Sequence, residues 1–105
     1  MTKSIRNSAI LALVISFAGA MSFAQSGGEA TYKSKCAMCH GATGTPSAAM
    51  ATAMGIKPTS DPAIKALTLA QVEATVKNGK GKMKPIAGLD DPTIKAVSEY
   101  FKTLK

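Results

Sequence analysis

The chain has 105 residues, 46% of them hydrophobic but only 5% aromatic, with two Cys, no Trp and a formal charge of +7 from 13 Lys and Arg against 6 Asp and Glu. That length allows one domain at most. The basic excess points to acidic partners or an anionic surface and away from nucleic acid, because the lysines are not interleaved with aromatics.

Lys3 and Arg6 precede an apolar run from Ala9 to Ala20, and Ser22-Phe23-Ala24 places small residues at the two positions that a signal peptidase reads. Residues 1–24 are therefore expected to be a secretory signal peptide, with Ala18-Gly19-Ala20 as a second candidate cleavage site. The alternative is an uncleaved anchor. It fits less well, since the run is shorter than the roughly 20 residues needed to span a bilayer, and no cysteine stands near the cleavage point to carry a lipid. Cleavage after Ala24 leaves residues 25–105 as one domain of 81 residues, with 11 Lys and no Arg against 6 acids. The expected compartment is the periplasm. A domain that short often leans on a metal or cofactor to complete its core.

After a short lead-in, Glu29 to about Cys39 reads as a first helix. Glu29 lies in its first turn, where the helix dipole favours an acid. Tyr32 stands four residues before Cys36, so both project from one face. Gly28 stands four residues before Tyr32, where the missing side chain lets another helix come close. The helix ends in Cys36-Ala37-Met38-Cys39-His40. This is C-x-x-C-H, the attachment pattern for a c-type haem. Two thiols three residues apart lie on one side of a helical turn, where they meet the two vinyl groups of one porphyrin and form thioethers. His40 follows at once and brings an imidazole to the ring as an axial iron ligand. The competing reading is a redox-active dithiol, because an oxidising compartment favours a disulfide. That reading expects a βαβ setting. No convincing strand precedes Cys36, and dithiol chemistry leaves His40 unexplained.

Gly41 to Leu67 is rich in glycine and proline and is expected to hold two short helices. Thr45-Pro46 reads as an N-cap with proline at the first helical position, opening a helix through Met54 that stops at Gly55. Asp61-Pro62 repeats the signal ahead of Ile64 and Leu67, and Asp91-Pro92 uses it a third time. Thr68 to Asn78 is a clearer helix, with capping-box spacing between Thr68 and Gln71, an apolar stripe of Leu69, Val72 and Val76, and a stop at Asn78-Gly79. Gly79 to Leu89 reads as a loop. Asp91 to about Leu104 is the last helix, with Ile94, Val97, Tyr100, Phe101 and Leu104 on one face. No segment argues for a sheet. The expected class is all-α, a compact bundle of four or five short helices wrapped round one covalently attached haem c.

A haem held by histidine alone binds gases or peroxide, whereas a histidine and methionine pair makes a dedicated electron carrier of raised potential. Of the four methionines after residue 24, Met38 lies between the cysteines and does not reach across the ring. Met50 and Met54 follow His40 on a short helix and read as core residues. Met83 sits in a loop between Gly79, Gly81 and Pro85, which lets it approach the porphyrin face. It is the expected second axial ligand.

In this order of parts, the chain resembles a small bacterial class I cytochrome c. The resemblance covers Gly28 to Leu104. It rests on Gly28 and Tyr32 in the first helix, the Cys36–His40 motif, the Asn78-Gly79-Lys80-Gly81-Lys82-Met83 loop and Tyr100 in the closing helix. It implies that the first and last helices cross at Gly28, Tyr32 and Tyr100 or Phe101. It also implies that a proline carbonyl, here Pro46, accepts a hydrogen bond from the ligating histidine, which orients the ring. The sequence departs from the family at Lys84, which separates Met83 from Pro85 where the family commonly joins methionine to proline. A looser or differently registered loop is expected.

The expected function is a soluble periplasmic carrier, monomeric and not an enzyme, that shuttles one electron between respiratory redox partners with acidic docking faces. Lys77, Lys80, Lys82 and Lys84 around Met83 form the basic rim that would steer it. Two alternatives stand beside it. One is a haem with an open or labile sixth position that acts as a small-ligand sensor or a peroxidase-like enzyme; His40 is the one histidine in the chain, so no second imidazole handles protons there. The other is a subunit of a larger oxidoreductase.

Overall fold

The computed structural model describes residues 27–105, and the expected signal peptide lies outside the described residues. Among the described residues there are six helices and no strand. They are α1 (27–35), α2 (Ala37–His40), α3 (Ala48–Met54), α4 (Pro62–Lys65), α5 (Leu69–Asn78) and α6 (Asp91–Thr103). The all-α class is the expected one, with one helix more because the first breaks at Cys36. That residue sits at φ −117° and ψ −34°, displaced from ideal helical angles. Hydrogen bonds still run through the break. The Cys36 N–H donates to the Tyr32 carbonyl at 2.9 Å, and the His40 N–H donates to the Cys36 carbonyl at 3.0 Å. α1 and α2 are thus one kinked helix that carries the whole C-x-x-C-H motif.

Local capping sets the other helix starts. Thr68 and Gln71 form the expected reciprocal box, with the Gln71 N–H donating to the Thr68 hydroxyl at 3.2 Å and the Thr68 N–H donating to Gln71 Oε1 at 2.8 Å. The Asp61 carboxylate accepts from the Ala63 N–H ahead of Pro62. Two starts differ from expectation. The cap of α3 is Ser47, whose hydroxyl accepts from the Met50 N–H at 3.3 Å, so Thr45 and Pro46 lie outside the helix. Ser47 stands three residues before an orphan donor, the spacing a hydroxyl needs, and the Thr45–Pro46 peptide is packed against Gly41 instead. The cap of α6 is Asp90, which accepts from the Thr93 N–H at 3.0 Å. Asp91 then falls in the first turn, where the helix dipole favours it, and Pro92 falls where a missing N–H costs nothing.

The core is small and sits where α1, α5 and α6 meet. Tyr32, Val76, Ile94 and Val97 form one buried cluster, and Val72 is buried beside them on α5. The expected crossing of the first and last helices is formed. Gly28 is buried, a Cβ there would overlap the Ala96 carbonyl and lie 3.1 Å from the Tyr100 Cβ, and the Tyr32 and Tyr100 rings stand 5.4 Å apart. Any side chain at position 28 would have to push α6 away. At the far end of α6, the Lys102 ammonium donates to the Leu67 carbonyl and ties the helix to the segment after α4.

The two methionines of α3 are not core residues. No residue of α3 is buried, and Met54 is 36% exposed. The rest of the helix is alanine and threonine, side chains too small to anchor it deeply in a core.

Candidate functional site

The kink at Cys36 puts the attachment motif at the edge of the core. Cys36 and Ala37 pack against the buried cluster. Cys36 and Cys39 are free thiols, both half-buried. Burial pushes the Cys36 thiol up from its ordinary value, and the Cys39 thiol beside it adds to the effect. A nucleophilic dithiol needs the opposite shift. With no strand before the motif among the described residues, the dithiol-oxidoreductase reading loses both its electrostatics and its setting. Met38, between the cysteines, is 91% exposed.

His40 is half-buried, and burial lowers its pKa, which favours the neutral imidazole that iron requires. The Phe101 ring meets it edge-on, with centroids 5.9 Å apart and planes at 76°. The backbone just after it is locked. Gly41 has φ +81°, a conformation that favours glycine, and a Cβ there would lie 2.7 Å from the Thr45 carbonyl carbon and 3.3 Å from the Pro46 nitrogen. The Tyr32 hydroxyl donates to the Gly41 carbonyl at 2.6 Å. The fold thus brings Pro46 against the residue that follows His40, but among the described residues no hydrogen bond joins the His40 ring to the Pro46 carbonyl.

Met83 lies in a closed turn. The Lys80 N–H donates to the Met83 carbonyl at 2.9 Å and the Met83 N–H donates to the Lys80 carbonyl at 3.0 Å. Behind it, Gly79 (φ +77°) leaves room for Pro85, whose Cδ stands 2.9 Å from where a Gly79 Cβ would be. The Ile86 N–H then returns to the Val76 carbonyl at 3.0 Å. Lys84 thus lies between a turn closed by backbone hydrogen bonds and the proline that follows it. The turn closes on Met83 itself, and Pro85 stiffens it from one residue further on. The Lys82 ammonium donates to the Ala53 carbonyl at 3.1 Å, which links this turn to the last residues of α3, in the segment that leads away from His40. No hydrogen bond or ring contact joins Met83 to His40 among the described residues.

These residues fit a covalently held haem. Among the described residues no three His, Cys, Asp or Glu side chains converge on a bare metal ion. Two thiols and one imidazole at this spacing suit an iron that already carries a porphyrin. The core supports the same fit. Only five hydrophobic side chains of the described residues are buried, while Ile56, Ile64, Leu67, Ile86, Leu89 and Leu104 are left half-covered, as they would be beside a site for a large flat apolar group. Two fully desolvated hydroxyls, Thr59 Oγ1 and Ser98 Oγ, have no hydrogen-bond partner among the described residues.

Four of these features escape sequence reading. The Tyr32–Gly41 bond and the Phe101–His40 contact join residues from different segments. Thr59 and Ser98 are polar and break the apolar pattern that marks a core. The spacing of Tyr32 and Cys36 on one helical face was the one signal pointing toward the first of these.

No curated protein and no solved structure matches the chain. A family model described as cytochrome c oxidase, cbb3-type, subunit III matches residues 23–101. That span takes in the C-x-x-C-H motif, the Met83 turn and the helix crossing at Gly28, and the chain belongs to this family of small c-type cytochromes, which carry covalently bound haem c and serve electron transfer.

Proposed function

We propose that the chain is a soluble periplasmic electron carrier with one haem c, attached through Cys36 and Cys39 and ligated by His40 and Met83. The bound haem supplies a one-electron Fe(III)/Fe(II) couple. The protein's part is to hold and surround it. Cys36 and Cys39 fix the ring to a helix that is itself packed on the core. Burial keeps the His40 imidazole neutral. The observation that carries the reading is the Met83 turn, hydrogen-bonded at both ends and backed by Pro85. Such a turn holds a thioether in place against exchange with water or gases, which favours a carrier over an open haem. Pro46 lies beside Gly41 and is the proposed acceptor for the ligating ring.

Residues 1–24 serve in this reading as the export signal, and residues 25–105 as one monomeric domain. Lys80, Lys82 and Lys84 are exposed around Met83 and would form a basic rim for acidic redox partners, with a steering effect that salt weakens. Lys77 contributes less, because it stands 3.7 Å from the Asp91 carboxylate. The family's description as an oxidase subunit favours a second reading, in which the same domain works inside a larger oxidoreductase. No helix among the described residues is long and apolar enough to cross a membrane.

Carbon monoxide separates a carrier from an open haem. The native ferrous protein at neutral pH is expected to show no change in its absorption bands under carbon monoxide. Prompt formation of a carbonyl spectrum would favour the sensor or peroxidase-like reading.

A further inference from the structure

We propose that Tyr32 is the positioning residue for the axial histidine, acting through the hydrogen bond from its hydroxyl to the Gly41 carbonyl. The inference rests on the reading of His40 as an iron ligand and adds what fixes the orientation of its ring.

The bond is short and its donor is buried. Tyr32 is 1% exposed, and its hydroxyl oxygen lies 2.6 Å from the carbonyl oxygen of Gly41, nine residues further along the chain. Burial, with smaller contributions from Cys36 and Tyr100, raises the pKa of the phenol to about 12, so it stays a donor wherever the protein is folded. The receiving peptide has little freedom to drift. Gly41 has φ +81° with the Thr45–Pro46 peptide against its Cα. Its carbonyl also accepts from the Gly44 N–H at 3.2 Å, so both lone pairs are engaged.

The donor is equally fixed. The Tyr32 ring packs on Tyr100 at 5.4 Å and on Phe101 at 6.4 Å, and Phe101 in turn stands edge-on to His40. One aromatic cluster therefore holds His40 twice, through the carbonyl of the residue that follows it and through contact with its ring. A phenylalanine at position 32 would fill the same space and meet the same rings. It would leave the Gly41 carbonyl held by Gly44 alone. What the hydroxyl adds is therefore not core volume but a restraint on the backbone from which the imidazole projects. The plane of an axial imidazole sets how unpaired spin is shared among the four sides of an oxidised haem, so the restraint has a direct magnetic readout.

The test compares matured holoproteins by proton NMR in the oxidised state. Tyr32→Phe is expected to keep its haem, to lower the folding equilibrium constant by about two- to tenfold, and to redistribute the shifted haem methyl resonances. Tyr100→Phe removes a hydroxyl from the same cluster without touching Gly41 and is expected to keep the wild-type methyl pattern. In the wild-type protein the Tyr32 hydroxyl proton should exchange slowly and show a cross-peak to the Gly41 α-protons, a measurement that needs no variant. A wild-type methyl pattern in Tyr32→Phe, an equal change in Tyr100→Phe, or no slow hydroxyl proton would overturn the proposal. Failure of the underlying reading looks different, because a wild-type spectrum without the shifted resonances of an iron-bound imidazole excludes His40 as ligand before any variant is compared.

Discussion

Replacing Cys36 and Cys39 together by alanine is expected to yield a chain with no covalently bound haem and little helical structure. The argument begins with size. A folded domain of about 80 residues has a net stability of roughly 4–12 kcal/mol, a small balance between burial and chain entropy. Here the described protein buries only five hydrophobic side chains and leaves many others half-covered. α2, α3 and α4 are four to seven residues long and contain no buried residue. Helices that short do not persist alone in water, so they depend on what they pack against. In the proposed reading that object is the haem, and the two thioethers keep it in place. The measurement is a haem stain on a denaturing gel together with circular dichroism. A double variant that stays folded and helical without haem would show that the core is sufficient by itself.

Met83→Ala is expected to act chiefly on the iron. The Met83 turn is held by backbone groups, through the paired bonds with Lys80 and the packing of Pro85 beside Gly79, and alanine preserves all of them. Met83 is half-buried, so its loss should destabilise the fold by less than the roughly 2–5 kcal/mol of a fully buried methionine. The variant should therefore mature with its haem attached. It should lose the far-red thioether-to-iron band of the oxidised protein, bind carbon monoxide readily when reduced, and have a lower potential, because a thioether ligand raises it. A retained far-red band would exclude Met83 and redirect attention to Met50 or Met54, which lie outside the core on α3.

The local parts of the fold were legible in the sequence. The box at Thr68 and Gln71, the stop at Gly79 and the stripe through Val72 and Val76 depend on residues three or four apart, and the structure repeats them. Where two caps compete within a few residues, sequence spacing does not choose between them. Ser47 displaces Thr45, and Asp90 displaces Asp91, because the backbone entering each helix decides which oxygen meets an orphan N–H. The close helix contact at Gly28 was read from the glycine itself and its partners on the last helix from resemblance, whereas its physical cause, the Ala96 carbonyl where a Cβ would stand, is a matter of three dimensions. The same holds for the site. C-x-x-C-H is local and legible. The bond from Tyr32 to Gly41, the Phe101 ring beside His40 and the reach of Lys82 to Ala53, 29 residues away, come from how the helices pack. The packing of Pro85 beside Gly79, one residue later than the family's common spacing after methionine, is likewise a matter of three dimensions.

An optical spectrum of the purified mature protein in both redox states tests the central claim most directly. A single haem joined by two thioethers and ligated by His40 and Met83 predicts the sharp low-spin bands of a c-type haem when reduced, a pyridine haemochrome with both vinyl groups saturated, and the far-red band when oxidised. A high-spin spectrum, a haem extractable by acid and organic solvent, or no haem at all would contradict it.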